Sequence, residues 1–141
     1  MDDVKAFERL ASARVARLAT VRPDGRAHVV PLVFALVDHV DGPVAYWAVD
    51  AKPKAATTLQ RITNLEANPT AELLVDGYEE DWSRLWWVRA SVTAREVVGP
   101  EERLPAQEAL AAKYPQYRTD PPNGRIFRFD VTSVRGWSAD G

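Results

Sequence analysis

Apolar and polar residues alternate in short runs along much of the chain, a pattern typical of β-strands. Neighbouring side chains of a strand point to opposite faces, so the alternation predicts a sheet with one buried face. The runs that carry the pattern are residues 15–21, 27–37, 44–49, 70–78, 82–98 and 125–134. We therefore expect six strands.

Apolar positions recur at helical spacing in three other segments. These predicted helices are residues 2–13, 54–68 and 101–114, and three of the strands precede the second helix. Because the helices are short and lie between groups of strands, their order argues against a parallel sheet with helices on both faces. It predicts a mainly β (α+β) fold, a six-stranded antiparallel β-barrel with short covering helices.

The second predicted strand contains Pro31, which has no N–H to donate to a neighbouring strand. We expect this strand to lie at an edge of the sheet or to contain a bulge there. Just before it, Arg22-Pro23-Asp24-Gly25 has the Pro and Gly placement of a type I turn, so the first two strands are expected to form a hairpin.

Length and composition narrow the classes of protein that fit. The 141 residues suit one domain that spans 1–141. A formal net charge of -2 gives no general attraction to nucleic acid or to an anionic membrane, and the absence of cysteine excludes disulfides and thiolate chemistry. No apolar run reaches the roughly 18 residues of a membrane span, and the first residues do not resemble a signal peptide, so we expect a cytoplasmic protein.

Two lysines lie where the third predicted strand leads into the second predicted helix. A helix N-terminus already carries partial positive charge, so Lys52 and Lys54 are unfavourable there unless an anion lies in front of them. Thr57 and Thr58 follow within about one turn and can donate hydrogen bonds to a phosphate. The combination favours a phosphate site over two lysines that merely flank a turn. For Arg61, a ligand role and that of a solvated helix cation both remain open.

Three of the five tryptophans lie in the segment 82–90. Trp86 and Trp87 are neighbours in a predicted strand and must face opposite sides, so a core on one side accounts for only one of them. The other needs a second apolar or flat partner. A subunit interface is the first candidate for that partner and a ring-shaped ligand the second.

No side chain stands out as a catalytic group. His28 lies in a strand and could donate a proton, but a packing role is the more common one for such a histidine. Glu79, Glu80 and Asp81 are consecutive, and neither a histidine nor regularly spaced carboxylates accompany them. We interpret them as a charged loop and expect no metal site.

Taken in order, the motifs resemble those of the pyridoxamine 5'-phosphate oxidase-like family. The shared segments are the Arg-Pro-Asp-Gly hairpin, the strand with His28 and Pro31, Lys52-Pro53-Lys54, and the Leu-Trp-Trp-Val-Arg-Ala run at 85–90. The resemblance covers residues 13–138 and is strongest to the branch of probable F420-dependent oxidoreductases. It departs from the pyridoxamine phosphate oxidases proper near the C-terminal end, where Arg125, Arg128 and Arg135 are the only basic residues for a second phosphate.

The resemblance implies a split β-barrel that forms a homodimer, with a flavin or deazaflavin between the subunits. It places the cofactor phosphate at Lys52, Lys54 and Thr57 or Thr58, with Arg61 near them. The ring system would lie along the second and third strands. Residues implied for the ring are His28, Val30, Pro31, Leu32, Trp47 and Ala48, and those implied to close the groove from the other subunit are Trp86, Trp87, Arg89 and Trp137.

The function expected from this resemblance is hydride transfer between coenzyme F420 and a small organic acceptor. F420 has an acidic tail that Lys52, Lys54 and Arg61 could attract, whereas the alternative cofactor, FMN, needs only the phosphate anchor. A protein of a different class, one that carries a flavin, a deazaflavin or haem without turnover, would use the same apolar groove.

Overall fold

The computed structural model describes residues 1–49 and 59–141. Its strands are β1 (Ala16–Val21), β2 (Ala27–Leu32), β3 (Ala35–His39), β4 (Gly42–Ala48), β5 (Thr70–Gly77), β6 (Trp86–Val97) and β7 (Ile126–Ser138). Its helices are α1 (Asp3–Ser12), α2 (Gln60–Ala67), α3 (Pro100–Lys113) and α4 (Gln116–Thr119), and a 3₁₀ turn covers Trp82–Arg84.

The strands form one sheet in the order β2-β1-β5-β6-β7-β4-β3, and every described pair is antiparallel. This confirms the predicted mainly β fold with short helices and fits a split barrel. The predicted number of strands is wrong, because the sheet has seven strands instead of six.

The extra strand arises because the predicted strand 27–37 is two strands. The chain leaves β2 at one edge of the sheet, passes through Val33 and Phe34, and enters β3 at the other edge. The Phe34 N–H and carbonyl are bonded at the end of α3 and not by a strand: the N–H donates to the Tyr114 hydroxyl (3.1 Å), and the carbonyl accepts from Lys113 Nζ (2.8 Å). No glycine or polar residue marks this crossing, so the sequence pattern could not reveal it.

Pro31 lies on β2, which pairs only with β1 among the described strands. The expected position at a sheet edge is therefore confirmed. The hairpin between β1 and β2 is confirmed as well. Its turn contains Gly25 at φ 90°, a backbone conformation that a residue with a Cβ adopts only at a cost.

The helices fit their predicted positions with one important exception. Helix α1 is capped by the Asp2 side chain, which accepts from the Lys5 N–H at 2.8 Å, and α3 passes through Pro105 without a break. For the helix predicted over 54–68, the described residues show α2 at Gln60–Ala67, preceded by a Leu59 backbone (φ −58°, ψ 140°) that is not helical. Lys52 and Lys54 lie outside the described residues, so the predicted phosphate site at these lysines stays a prediction.

Two hydrophobic clusters pack on the sheet. The larger one lies under α1 and α2 and contains Trp47, Phe127 and Phe129, and the smaller one lies under α3 and contains Tyr46, Leu110 and Tyr114. Tyr46 and Trp47 are neighbours on β4 and enter different clusters, as strand geometry requires. The described helices are all too short or too polar to span a bilayer.

Candidate functional site

A cavity of about 520 Å³ opens where the ends of β2 and β4 meet α2 and the segment from α3 to α4. It is lined by Pro31, Leu32, Val33, Trp47, Ala48, Arg61, Tyr114, Gln116, Tyr117 and Asp120. Its volume lies within the range of about 300–1,000 Å³ that small-molecule sites occupy. Five of the residues expected to hold a cofactor come together here, namely Pro31, Leu32, Trp47, Ala48 and Arg61.

Trp47 is held rigidly in the wall of this cavity. Its ring stacks on Phe127 with centroids 4.8 Å apart and planes 15° apart, and Phe129 lies against it at 5.8 Å. Only 1% of its surface is exposed, yet its indole Nε1 has no hydrogen-bond partner. The wall is therefore flat, aromatic and fixed, with one N–H unpaired.

Arg61 is positioned by the buried residues of α2. Asn64 is fully buried, donates to the Thr20 hydroxyl on β1 at 3.0 Å, and accepts from Gln60 at 2.7 Å. Ile62 and Leu65 enter the larger core beside it. These contacts fix α2 against the sheet. Arg61, in the first turn of α2, is thereby held where its side chain lines the cavity.

The guanidinium of Arg61 lies 5.2 Å from the centre of the Trp47 ring. Its Nε is buried without a hydrogen-bond partner, and burial lowers the pKa of this side chain. In residues 1–49 and 59–141 no carboxylate forms an ion pair with it. A half-buried cation without a carboxylate partner is stabilised by a negatively charged ligand.

The opposite wall comes from a segment in which sequence reasoning found no site residue. Tyr114, Gln116, Tyr117 and Asp120 line the cavity there. Arg118 ties the segment down by donating to the carbonyls of Ala111 and Ala112, both at 2.8 Å, at the end of α3. In the sequence this segment is a connection with several prolines. The only feature that could have indicated a site there is the pair of tyrosines three positions apart, Tyr114 and Tyr117.

The same segment contains an unusual lysine. Lys113 donates to the Phe34 carbonyl and lies 4.0 Å from the Phe34 ring, while burial and the nearby charge of Arg14 lower its pKa to about 8. Burial also raises the pKa of Tyr114, against smaller opposing effects of the Phe34 backbone and Arg14. Both side chains hold the crossing from β2 to β3 in place beside the cavity.

Two expected ring contacts lie elsewhere on β2. His28 and Val30 do not line the cavity. Val30 packs against the larger core, and His28 is paired in register with Thr20, with its Nδ1 buried and unpartnered. Their expected contact with the ring stays a prediction.

The tryptophans of the 82–90 segment divide as expected between two faces. Trp86 packs against the larger core, with the Arg9 guanidinium 4.3 Å from its ring centre, and lines a separate cavity of about 400 Å³. Trp87 belongs to neither core cluster and lies opposite Trp137 on β7. Arg89 lies 5.1 Å from the Trp87 ring centre. Trp86, Trp87, Arg89 and Trp137 are all absent from the lining of the 520 Å³ cavity.

The remaining expected site residues, Lys52, Lys54, Thr57 and Thr58, lie outside the described residues. The acidic run is engaged locally: Glu79 forms an ion pair with Arg84 at 3.1 Å, and Asp81 caps the 3₁₀ turn through the Ser83 N–H at 3.1 Å. These contacts are those of a charged loop.

Solved structures share this fold. A conserved hypothetical protein from Mycobacterium tuberculosis aligns with a TM-score of 0.77 and 21% identity over 99% of this chain and 86% of that one. An FAD-binding protein from Mesorhizobium loti gives 0.73 and 21% over 96% and 92%, respectively. The haem storage protein HutZ from Vibrio cholerae gives 0.67 and 15% over 96% and 93%.

A search of curated proteins finds no match to the sequence. The family model described as pyridoxamine 5'-phosphate oxidase matches residues 2–138, nearly the whole chain. Its extent agrees with the resemblance that the motifs carry and with the mostly antiparallel sheet. The chain therefore belongs to the pyridoxamine 5'-phosphate oxidase family.

Proposed function

We propose that this protein is an oxidoreductase that uses coenzyme F420, with FMN as the alternative cofactor, to transfer a hydride to or from a small organic molecule. The observation that carries the proposal is the convergence of five expected cofactor residues on one cavity of about 520 Å³. The family match and the FAD-binding protein from Mesorhizobium loti with the same fold support a cofactor of the flavin type.

The cavity suits a flat ring with a negatively charged substituent. Pro31, Leu32 and the stacked Trp47 supply the apolar and aromatic part of the lining, against which a ring can pack, and Arg61 supplies a cation without a counterion among the described residues. A bound flavin or deazaflavin would supply the hydride chemistry, so the protein needs no nucleophile of its own.

Two arginines near the C-terminal end favour this function over vitamin B6 synthesis. Arg125 forms an ion pair with Glu96 at 2.7 Å, and Arg128 pairs with Glu102 and Asp130. Since their charges are already neutralised by carboxylates, they are poorly suited to hold the phosphate of a second phosphorylated ligand.

The choice of F420 over FMN rests on charge. Arg61 borders the cavity, and Lys52 and Lys54 are close to it in sequence, so a cationic groove could extend beyond the phosphate site. An acidic oligoglutamate tail gains from such a groove, whereas FMN does not need it.

We also propose a homodimer in which the second subunit completes the cofactor groove. Support comes from the outer face of the sheet, where Trp87 and Trp137 are paired in register and Trp137 is 41% exposed. Val29, on the same outward side of the edge strand β2, is 61% exposed. A sheet face that exposes a tryptophan and another large apolar side chain is typical of a subunit interface.

A carrier without turnover is the second candidate, and the fold shared with a haem storage protein is the observation in its favour. The described lining of the cavity, however, contains no histidine, cysteine or methionine. Haem iron takes its axial ligands from those residue types or from tyrosine. Of the two tyrosines in the lining, Tyr114 already uses its hydroxyl in hydrogen bonds with Phe34 and Arg14, and Tyr117 packs edge-on against Tyr114, so we place the redox cofactor first.

Fluorescence titration of the purified protein with F420, FMN and haem tests the proposal. We expect tightest binding to F420, and reduced F420 should then be oxidised by at least one member of a panel of quinones, enones and nitro compounds. Lys54→Ala should weaken F420 binding by about 1–3 kcal/mol, the effect of removing one charge-assisted hydrogen bond. The matched control is Lys5→Ala on the exposed side of α1.

Equal or tighter binding of FMN would overturn the choice of F420. Tight binding of a cofactor with no oxidation by any acceptor would favour the carrier. Preferential haem binding would contradict the oxidoreductase proposal itself.

A further inference from the structure

The side-chain amine of Lys113 lies in surroundings that are unusual for a lysine. Its Nζ donates to the Phe34 carbonyl at 2.8 Å and lies 4.0 Å from the centre of the Phe34 ring and 5.3 Å from that of Tyr114. The side chain is only partly exposed, whereas most lysine amines are fully solvated. The end of α3 therefore replaces much of the water around this amine by two aromatic rings and one carbonyl.

The nearby charge that acts on Lys113 is a second cation. Arg14, an exposed residue between α1 and β1, donates from Nη2 to the Lys113 backbone carbonyl at 2.7 Å and lies 4.9 Å from the Tyr114 ring centre. The rings attract both cations, but within the described ranges neither Lys113 nor Arg14 forms an ion pair with a carboxylate. Two cations without a counterion in this part of the chain are thus held side by side.

This arrangement makes the neutral form of the amine available near physiological pH. Burial, together with the charge of Arg14, lowers the pKa of Lys113 from 10.5 to about 8. At pH 8 about half of these amines are therefore uncharged, against fewer than about one in a hundred for an ordinary lysine. An uncharged amine has a free lone pair, so Lys113 is a nucleophile that the proposed hydride chemistry does not use.

The neighbouring groups indicate which electrophile fits the amine. An adduct on the nitrogen keeps one N–H, and the Phe34 carbonyl is already in place to accept from it. The guanidinium of Arg14 has no carboxylate partner among the described residues, and a planar carboxylate is the group that a guanidinium binds best. Dissolved CO2 gives a planar carboxylate directly on an amine nitrogen, and it is small enough to reach a partly buried side chain.

We propose that Lys113 binds dissolved CO2 reversibly as a carbamate whose negative charge is paired with Arg14. The neutral amine nitrogen attacks the carbon of CO2, an N–C bond forms, and one C=O electron pair moves to oxygen to give the carboxylate. One proton leaves the nitrogen for water, so the step needs no oxidant, reductant or further reactant. Phe34 directly follows Val33 in the cavity lining, so the adduct changes the charge beside the candidate site. The inference does not depend on the proposed function.

Chemical trapping in the wild-type protein tests the proposal. The protein is equilibrated with dissolved CO2 at pH 8, carbamates are converted to stable esters with triethyloxonium, and peptide mass spectrometry locates the esters. We expect at least tenfold more label on Lys113 than on Lys5, an exposed lysine of α1 in the same molecule. Fragmentation of the peptides separates Lys5 from the N-terminal amine.

Two variants separate the roles of the two side chains. Lys113→Arg keeps a cation that can donate to the Phe34 carbonyl but has no reactive amine, so we expect no label at position 113. Arg14→Gln removes the cation that pairs with the carbamate. Labelling from pH 7 to 9.5 separates the fraction of neutral amine from its affinity for CO2, and we expect this affinity to fall severalfold in Arg14→Gln. The control is Arg26→Gln, at an exposed position in the hairpin of β1 and β2.

Equal label on Lys113 and Lys5 would overturn the proposal, as would label on Lys113 that does not depend on CO2. An Arg14→Gln variant whose neutral amine keeps its affinity for CO2 would overturn the pairing with Arg14. The comparison of the two lysines within the wild-type protein needs no substitution, so it decides the question even if Lys113→Arg fails to fold. Because no cofactor is added, failure of the proposed function would leave this result unchanged.

Discussion

The sequence alone predicted some of the residues that line the cavity. Aromatic and apolar residues at the ends of two strands, together with Arg61, were expected to meet a cofactor, and five of them share one cavity. What the sequence could not show is the state of individual atoms. The unpaired donors of Trp47 and Arg61 depend on packing from β7 and α2, which no local pattern reveals.

The lowered pKa of Lys113 makes a residue-scale prediction about pH. Burial together with the charge of Arg14 lowers this pKa from 10.5 to about 8 in the folded protein. Between these values the unfolded chain binds more protons than the folded one, so the contribution of Lys113 to the free energy of unfolding increases as the pH rises.

We therefore expect the difference in unfolding free energy, wild type minus Lys113→Met, to increase from pH 7.5 to pH 9.5. Urea denaturation at several pH values measures it. Lys5→Met, on the exposed side of α1, is the matched control variant. A difference between wild type and Lys113→Met that is independent of pH would contradict the assignment.

Elements were predicted well where the hydrophobic period was regular and poorly where an apolar run had no internal break. Strand 27–37 reads as one element, yet the backbone crosses the fold at Phe34 because Lys113 and Tyr114, about 80 residues away, supply its hydrogen bonds. Likewise α2 is held on β1 by the hydrogen bond from Asn64 to Thr20, which joins residues 44 positions apart and has no local sequence signal.

One carboxylate of helix α3 contacts three strands of the sheet. Glu102 accepts from Arg95 at 3.0 Å, from Arg128, and from the hydroxyl of the buried Tyr46 at 3.3 Å. Burial alone would raise the pKa of Glu102, but its hydrogen bond and charge interactions with Arg128 and Arg95 outweigh burial and lower it. The folded state thus favours the ionised form.

Glu102→Gln should lower the free energy of unfolding by about 1–3 kcal/mol, because it weakens charge-assisted hydrogen bonds to two arginines. The neighbouring Glu101 is exposed and lies in the same helical turn, so Glu101→Gln controls for the effect of the helix dipole. Urea denaturation at pH 7 compares the two variants. Equal stabilities would show that the ion pairs do not anchor α3.

At the scale of the molecule, the fold class followed from the order of short strands and helices, and the family followed from its motifs. The number of strands and their order in the sheet could not be predicted. The strand β7 lies between β6 and β4, and the alternation of apolar and polar residues within a strand does not indicate which strands lie beside it. The phosphate site at Lys52 and Lys54 remains a prediction, since those residues lie outside the described ranges.

The proposed dimer makes a prediction at the same scale. Trp137→Glu places a charge beside Trp87 on the outer face of the sheet, and we expect it to shift the protein to a monomer in sedimentation velocity experiments. Trp82→Glu is the control, because Trp82 is 76% exposed and lies in the 3₁₀ turn outside the sheet.

If the second subunit completes the cofactor groove, Trp137→Glu should also lose F420 binding, whereas Trp82→Glu should retain it. A wild-type protein that sediments as a monomer would contradict the dimer. A Trp137→Glu variant that dimerises normally would show that the interface lies elsewhere.

The position of β7 has a consequence for how the chain reaches its native state. This strand is late in the sequence, yet it pairs along β6 from Ile126 to Ser138 and along β4 from Ile126 to Asp130. Until it is available, β3 and β4 have no partner that joins them to the other strands. Assembly must therefore wait for contacts between residues about 80 positions apart, and topologies of this kind fold in milliseconds to seconds instead of microseconds. On the ribosome, the early hairpins would stay separate, with their apolar faces exposed, until the final strand emerges.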